Sequence, residues 1–226
     1  MKMNVENFAP FYDSGLLGLM LSLREMGGQS FVVGGAVRDA LMGKDPKDFD
    51  VASSLSVHEV VEALRAAGWE VEEKGLRFVV AIVTHGDHQF EVAQFRNDGV
   101  YKDGKPVEVT RGDLNTDAAR RDFTVNALYL EPFSGEVLDP TGRGLDDVRN
   151  EVLRFVGKPL ARLKEDPMRA LRFFRFWARG FMPHPHSKSA VFGAMDDFVL
   201  PSLLDNNAGN GVREELTKLV MASFRE

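Results

Sequence analysis

The chain has 226 residues, 44% of them hydrophobic and 27% charged, with a formal net charge of -6. That charge argues against unspecific coating of nucleic acid, which needs cations to neutralise phosphates. The cysteine count of 0 removes disulfides, thiolate metal sites and cysteine nucleophiles. No apolar run is long enough to cross a bilayer and no basic-then-apolar leader opens the chain, so a cytoplasmic protein with no membrane partner is expected.

The length suits a compact domain followed by a smaller element. Leu16, Leu17, Met20, Leu21 and Leu23 recur at helical spacing within Asp13 to Met26, and Gly27-Gly28 stops them. Ser30 to Val33 is a short apolar run that ends in Gly34-Gly35, after which Val37, Ala40 and Leu41 resume helical spacing. The sequence therefore spells strand, glycine turn, helix. Asp48 to Ala52 alternates polar and apolar as a half-buried strand does, and Ser56 is placed to cap a helix through Ala67. Leu76 to Thr84 and Gln89 to Phe95 predict two strands joined by a polar turn, which makes the sheet mixed.

From Arg96 to Asn115 the chain is polar and glycine-bearing, a loop long enough to imply a function. Thr116 is placed to cap a short helix over Asp117 to Arg121, and Ala127 to Leu130 with Glu136 to Leu138 reads as a further hairpin. Composition shifts near Asn150. Residues 1–150 form the expected head. Residues 151–226 form an expected helical neck with helices over Leu160 to Glu165, Pro167 to Arg179 and Val212 to Phe224, the run between them broken by Pro183, Pro185 and Pro201.

Asp48 and Asp50 stand two apart, so on a strand both carboxylates leave one face and come within reach of shared cations. Two like charges so close are unfavourable unless a cation such as Mg²⁺ neutralises them. Glu91, on a later strand between Phe90 and Val92, would supply a third oxygen if that strand lies alongside. A solvated strand edge is the plain alternative for an Asp-x-Asp pair. Against it stands Gly34-Gly35, which lets backbone approach a phosphate, with Arg38 one turn on to add a charge-assisted bond. A Rossmann reading fails, because the G-x-G-x-x-G spacing is absent.

Gly34-Gly35-Ala36-Val37-Arg38-Asp39 followed by Asp48-x-Asp50 resembles the signature of the polymerase-β-like superfamily, as written in tRNA nucleotidyltransferases (CCA-adding enzymes) and bacterial poly(A) polymerases. The resemblance implies a mixed α/β (α+β) head with a helical neck, Gly35 and Arg38 on a triphosphate, and Mg²⁺ on Asp48 and Asp50. Arg120 to Leu128 resembles the family's second motif, which implies sugar and phosphate recognition by Arg121, Asp122 and Asn126; the alternative for such a pair of arginines is a surface salt-bridge cluster.

In Glu165-Asp166-Pro167-Met168-Arg169, continuing to Arg172 and Arg175, an acceptor and a donor side by side complement an amino group next to a ring nitrogen lone pair, the edge of cytosine and adenine. Uracil and guanine present the opposite pattern and would leave polar groups unpaired. The family's Glu-Asp-x-x-Arg motif, described as a protein template for CTP and ATP, is matched here. Arg172 and Arg175 either support that template or bind phosphate. Phe173, Phe174, Phe176 and Trp177 read as core, and the five histidines read as solvated loop residues.

Tyr101 to Pro106 resembles the loop by which CCA-adding enzymes change from CTP to ATP, and Arg213 to Leu219 resembles the neck motif. Full-length relatives continue into helical body and tail segments that grip tRNA, for which residues 1–226 hold no counterpart. The implied activity is addition of CMP and AMP to a tRNA 3′ end. Poly(A) polymerases and enzymes adding only A or only CC share these motifs, and a nucleotide-binding regulatory module is the non-enzymatic alternative.

Overall fold

The computed structural model describes residues 1–2, 15–46, 48–73, 80–86, 88–102, 104–205 and 209–223. Helix α1 (Leu16–Glu25) leads into strand β1 (Ser30–Val33), the glycine turn and helix α2 (Gly35–Leu41), as expected from the apolar spacing. Strand β2 (Phe49–Ser53) begins one residue after Asp48, and helix α3 (Val57–Ala66) carries a capping box in which Ser56 and Glu59 each satisfy the other's backbone N–H. Strands β3 (Glu70–Glu73), β4 (Val80–His85) and β5 (His88–Gln94) follow. The expected strand over Leu76 to Thr84 is met from Val80 onward, its first residues lying outside the described ones, as do Asp13 at the start of the first helix and Phe224 at the end of the last.

The long polar stretch is not a structureless loop. Arg96–Asp98 pairs with Val109–Arg111, and between them Tyr101–Lys102 pairs with Lys105–Pro106. Its two- and three-residue strands are too short and too polar to show apolar alternation. Helix α4 (Leu114–Arg120) starts earlier than expected, because Asp113 is the cap and Thr116 sits three residues inside, closing a reciprocal capping box. Strands β6 (Tyr129–Glu131) and β7 (Glu136–Leu138) form the expected hairpin, and helix α5 (Gly144–Arg149) follows.

Beyond it come α6 (Pro159–Glu165), α7 (Met168–Ala178), α8 (Pro185–Ala194), a π-helical turn over Met195–Val199, α9 (Leu200–Leu204) and α10 (Gly209–Ser223). Pro185, expected to break a helix, sits in the first turn of α8, where the missing N–H has no intrahelical acceptor to lose, so it starts the helix. At Pro201 the helical run is not ended but passes from the π-helical turn into α9.

The seven-stranded sheet runs β7-β6-β1-β2-β5-β4-β3, antiparallel except for the parallel pair β2 and β5. Alternation assigns the faces. Val32, Val51, Phe90 and Val92 point into the main core with α1, α3 and the aromatic side of α7. Val33, Ala52, Phe95 and Tyr129 point to the other face, where they form a smaller apolar cluster with Ala118, Ala127 and Val156. That second face carries the candidate site.

Candidate active site

The register of β2 with its neighbours brings the acids together. Asp50 pairs with Glu91 across the parallel ladder and with Val33 across the antiparallel one, so its side chain leaves the face that carries Val33 and Tyr129. Phe49 and Phe90, the alternate residues, are buried, while Asp50 and Glu91 keep a solvent-open side. Protein around the Asp50 carboxyl strips its water and raises its pKa; Glu91 and Asp48 push it further up, and Arg121 opposes them. Both of the other expected acids therefore act on Asp50, although Asp48 sits just before the strand. Among the described residues no three His, Asp or Glu side chains are gathered at ligand spacing. The donor chemistry is all carboxylate oxygen, and the mutual repulsion is what a hard divalent cation would relieve.

Gly34 is the closest approach of backbone to this group. Its φ of 74° and ψ of -131° lie where only glycine is at ease. A Cβ there would stand 3.6 Å from Arg121 Nη1 and 3.8 Å from Asp50 Oδ2, inside the space between cation and carboxylate. The Arg121 side chain is fixed from behind: Nη2 donates to Asp117 Oδ2 at 3.0 Å, Nε donates to the Tyr129 hydroxyl at 3.0 Å, and the guanidinium lies 5.2 Å from the Tyr129 ring centre. Burial alone would lower the Arg121 pKa, but the Tyr129 oxygen and the Asp117 carboxylate outweigh it and hold the group charged. Asp117 is fully buried, and despite that burial Arg121 and Arg120 hold its pKa below the usual carboxylate range. These supporting partners were missed at the sequence level, though Asp117 stands three and four residues before its arginines, a helical spacing that gives the pairing away.

A chain of hydrogen bonds and one ion pair connects the glycine turn to α7. Arg38, 6% exposed, donates through Nη1 to Asn126 Oδ1 and lies over the Phe176 ring at 5.0 Å. Asn126 Nδ2 donates to Asp122 Oδ1 at 3.1 Å, Asp122 Oδ2 is 3.3 Å from Arg172 Nε, and Arg172 Nη2 donates to Asp166 Oδ2 at 2.6 Å. Five of the expected residues thus form one relay. Burial disfavours the Arg172 charge, yet Asp122 and Asp166 win and raise its pKa.

Asp166 Oδ1 also accepts the Met168 N–H at 2.9 Å, which fixes the carboxylate at the start of α7. Arg169, 4% exposed, donates through Nη1 to Glu165 Oε2 at 2.6 Å and through Nη2 to the Arg120 carbonyl at 3.1 Å. Its Nε is buried without a hydrogen-bond partner among the described residues. The hairpin 101–106 covers this end: the Tyr101 ring lies 5.8 Å from the Arg169 guanidinium, and a Cβ on Gly104, whose φ is +72°, would stand 3.3 Å from Asp166 Oδ1. Tyr101 itself is tied to Asp98 at 2.6 Å, and burial and that bond push its pKa up to about 12. Arg175 stands apart from the relay, donating to Glu215 Oε2 at 2.8 Å on α10.

A mixed sheet with acids on paired central strands, a glycine turn against them and a half-buried arginine beside both is the architecture of a nucleotidyltransferase head. Residues 30–154 match the Poly A polymerase head domain family, and the chain belongs to that family. Over 221 residues it is 34% identical to poly(A) polymerase I of Escherichia coli O6:H1, covering 92% of this chain and 45% of that protein. It is 35% identical over 212 residues to the CCA-adding enzyme of Streptococcus pneumoniae serotype 19F, covering 92% of this chain and 50% of that one. The structure of the Bacillus stearothermophilus CCA-adding enzyme in complex with CTP superposes with a TM-score of 0.79 at 30% identity, covering 93% of this chain and 48% of that one. The chain spans about half the length of these relatives. A divalent metal ion belongs to the chemistry of the family, and no helix among the described residues is long and apolar enough to cross a membrane.

Proposed function

We propose that this chain is the head and neck of an enzyme that adds CMP and AMP, from CTP and ATP, to the 3′ end of tRNA in the cytoplasm. The observation that carries the reading is the convergence of Asp50, Glu91, Arg121 and the left-handed Gly34 on one face of the sheet. The RNA 3′-hydroxyl attacks the α-phosphorus, a new phosphodiester bond forms, and pyrophosphate leaves. Gly34 and Gly35 leave room for the triphosphate, Arg121 and Arg38 hold its anionic oxygens, and their own anchors keep those guanidinium groups in place before the nucleotide arrives. Magnesium is the ion we assign to Asp48, Asp50 and Glu91, because the donors are hard oxygens; when bound it would neutralise the crowded acids and offset charge on the phosphates.

Base choice belongs to α7. The unpartnered Arg169 Nε is a donor for a ring nitrogen, and Asp166 retains oxygen lone pairs to accept an exocyclic amino group. Arg172 orients Asp166, and Arg175 acts at one remove by fixing α7 to α10. Incubation of labelled tRNA lacking its terminal CCA with Mg²⁺ and each nucleotide tests the reading: growth by C and then A is expected, and no growth with any nucleotide from folded protein refutes it. A second reading, poly(A) polymerase, is favoured by the near-equal identities to the two kinds of relative, 34% and 35%. A long A-only product would select it.

A further inference from the structure

We propose that Lys102, Lys105 and Lys164 form a binding site for the phosphodiester backbone of the RNA strand being extended. They line a cavity of about 640 Å³ between the hairpin 101–106, the α6–α7 junction and α9, separate from the glycine turn and the acids of the sheet. All three are exposed, and none has a carboxylate partner within 4 Å among the described residues. Two acids share the walls. Asp166 is already committed to Arg172 and to the Met168 N–H, which leaves Asp205 as the remaining acid among the described lining residues. In a chain of net charge -6, three exposed lysines on the walls of one cavity beside α7 favour an anionic ligand.

The residue types narrow the ligand. Where this chain fixes a single oriented group it uses arginine forks, as at Arg38, Arg121 and Arg172; flexible ammonium groups spaced along two walls suit a run of backbone phosphates instead. Val107, 68% exposed, and Met168 supply an apolar wall for a ribose or base. The same cavity includes Asp166, so a strand lying there would run up to the start of α7, to which base choice is assigned. The inference rests on the reading of an RNA-extending enzyme and deepens it.

The test is the triple variant K102A/K105A/K164A, whose positions are exposed, with circular dichroism as a check on folding. Fluorescence anisotropy with a labelled single-stranded RNA, from 50 to 200 mM NaCl, should give a slope of log Kd against log salt smaller by about 2, since each backbone contact to a single strand contributes about 0.7. The KM for primer RNA should rise roughly tenfold or more, with the KM for CTP and ATP and inhibition by pyrophosphate unchanged. Unchanged RNA affinity and slope overturn the proposal, as does an unaltered chain that binds no RNA. A rise in nucleotide KM or in the pyrophosphate inhibition constant, with RNA binding intact, overturns it in favour of a polyphosphate site. Because anisotropy needs no turnover, a chain that binds RNA through these lysines yet extends none keeps this proposal and sinks the transferase reading, and a lysine-independent transferase does the reverse.

Discussion

Asp50 is the residue at which a cost to the fold and the role we propose in the reaction pull in opposite directions. Its folded-state pKa is raised above the unfolded value, so the folded chain binds the proton more tightly. Stability from this group is therefore lost as pH rises from the unfolded value through the folded one, and the full penalty is present at neutral pH. Asp50→Asn should leave the melting midpoint in chelator unchanged or higher while reducing nucleotide transfer at least roughly 100-fold. A parallel fall in stability and activity would show that the carboxylate has a structural role. Asp117 is the opposite case. Its pKa is lowered, so its contribution is present above the unfolded value and lost as pH falls through the folded one. Asp117→Asn takes a fully buried carboxylate from the half-buried Arg121 and should cost about 3–5 kcal/mol in urea unfolding at pH 7, as breaking buried ion pairs does, with the difference from the parent protein shrinking as acid protonates Asp117.

Among the elements, α7 is the one to which we assign base choice, with the hairpin 101–106 lying over its start. Asp166→Ala removes the acceptor and releases Arg172, so misincorporation of UMP or GMP relative to CMP and AMP should rise by on the order of tenfold or more, for a discrimination of about 1–3 kcal/mol. Unchanged nucleotide preference would remove Asp166 from base reading. Much of this level could be read from the chain. Strand β2, the glycine turn and α7 announced themselves because buried strands alternate and amphipathic helices repeat. The hairpin 101–106 did not, since its strands have two residues each and no apolar pattern. Nor could the relay be read, because its partners meet only through tertiary packing: Arg38 and Asn126 are 88 residues apart in the chain. Pro185 misled for a local reason, as the same residue stops a helix from within and starts one at its first turn.

At the scale of the molecule, one buried apolar cluster runs from α1 in the head through Phe123 and Phe155 to α7, α8 and α9. Phe173 sits at its middle, fully buried, stacked on Phe155 at 6.0 Å and 2° and close to Phe123 at 6.5 Å. With no separate core for the neck, head and neck should unfold in one transition, and Phe173→Ala should lower stability by about 3–5 kcal/mol without splitting it. Two resolved transitions in the parent chain would contradict this coupling.

The one parallel pairing of the sheet among the described residues governs when the candidate centre comes into being. Asp50 and Glu91 lie about forty residues apart in sequence and become neighbours only after α3, β3 and β4 have carried the chain over and back. Such a crossover closes late, because a distant strand pair must meet the entropy of its whole intervening loop before any contact repays it. The electrostatic conflict between Asp50 and Glu91 is thereby deferred until the packed sheet is there to bear it.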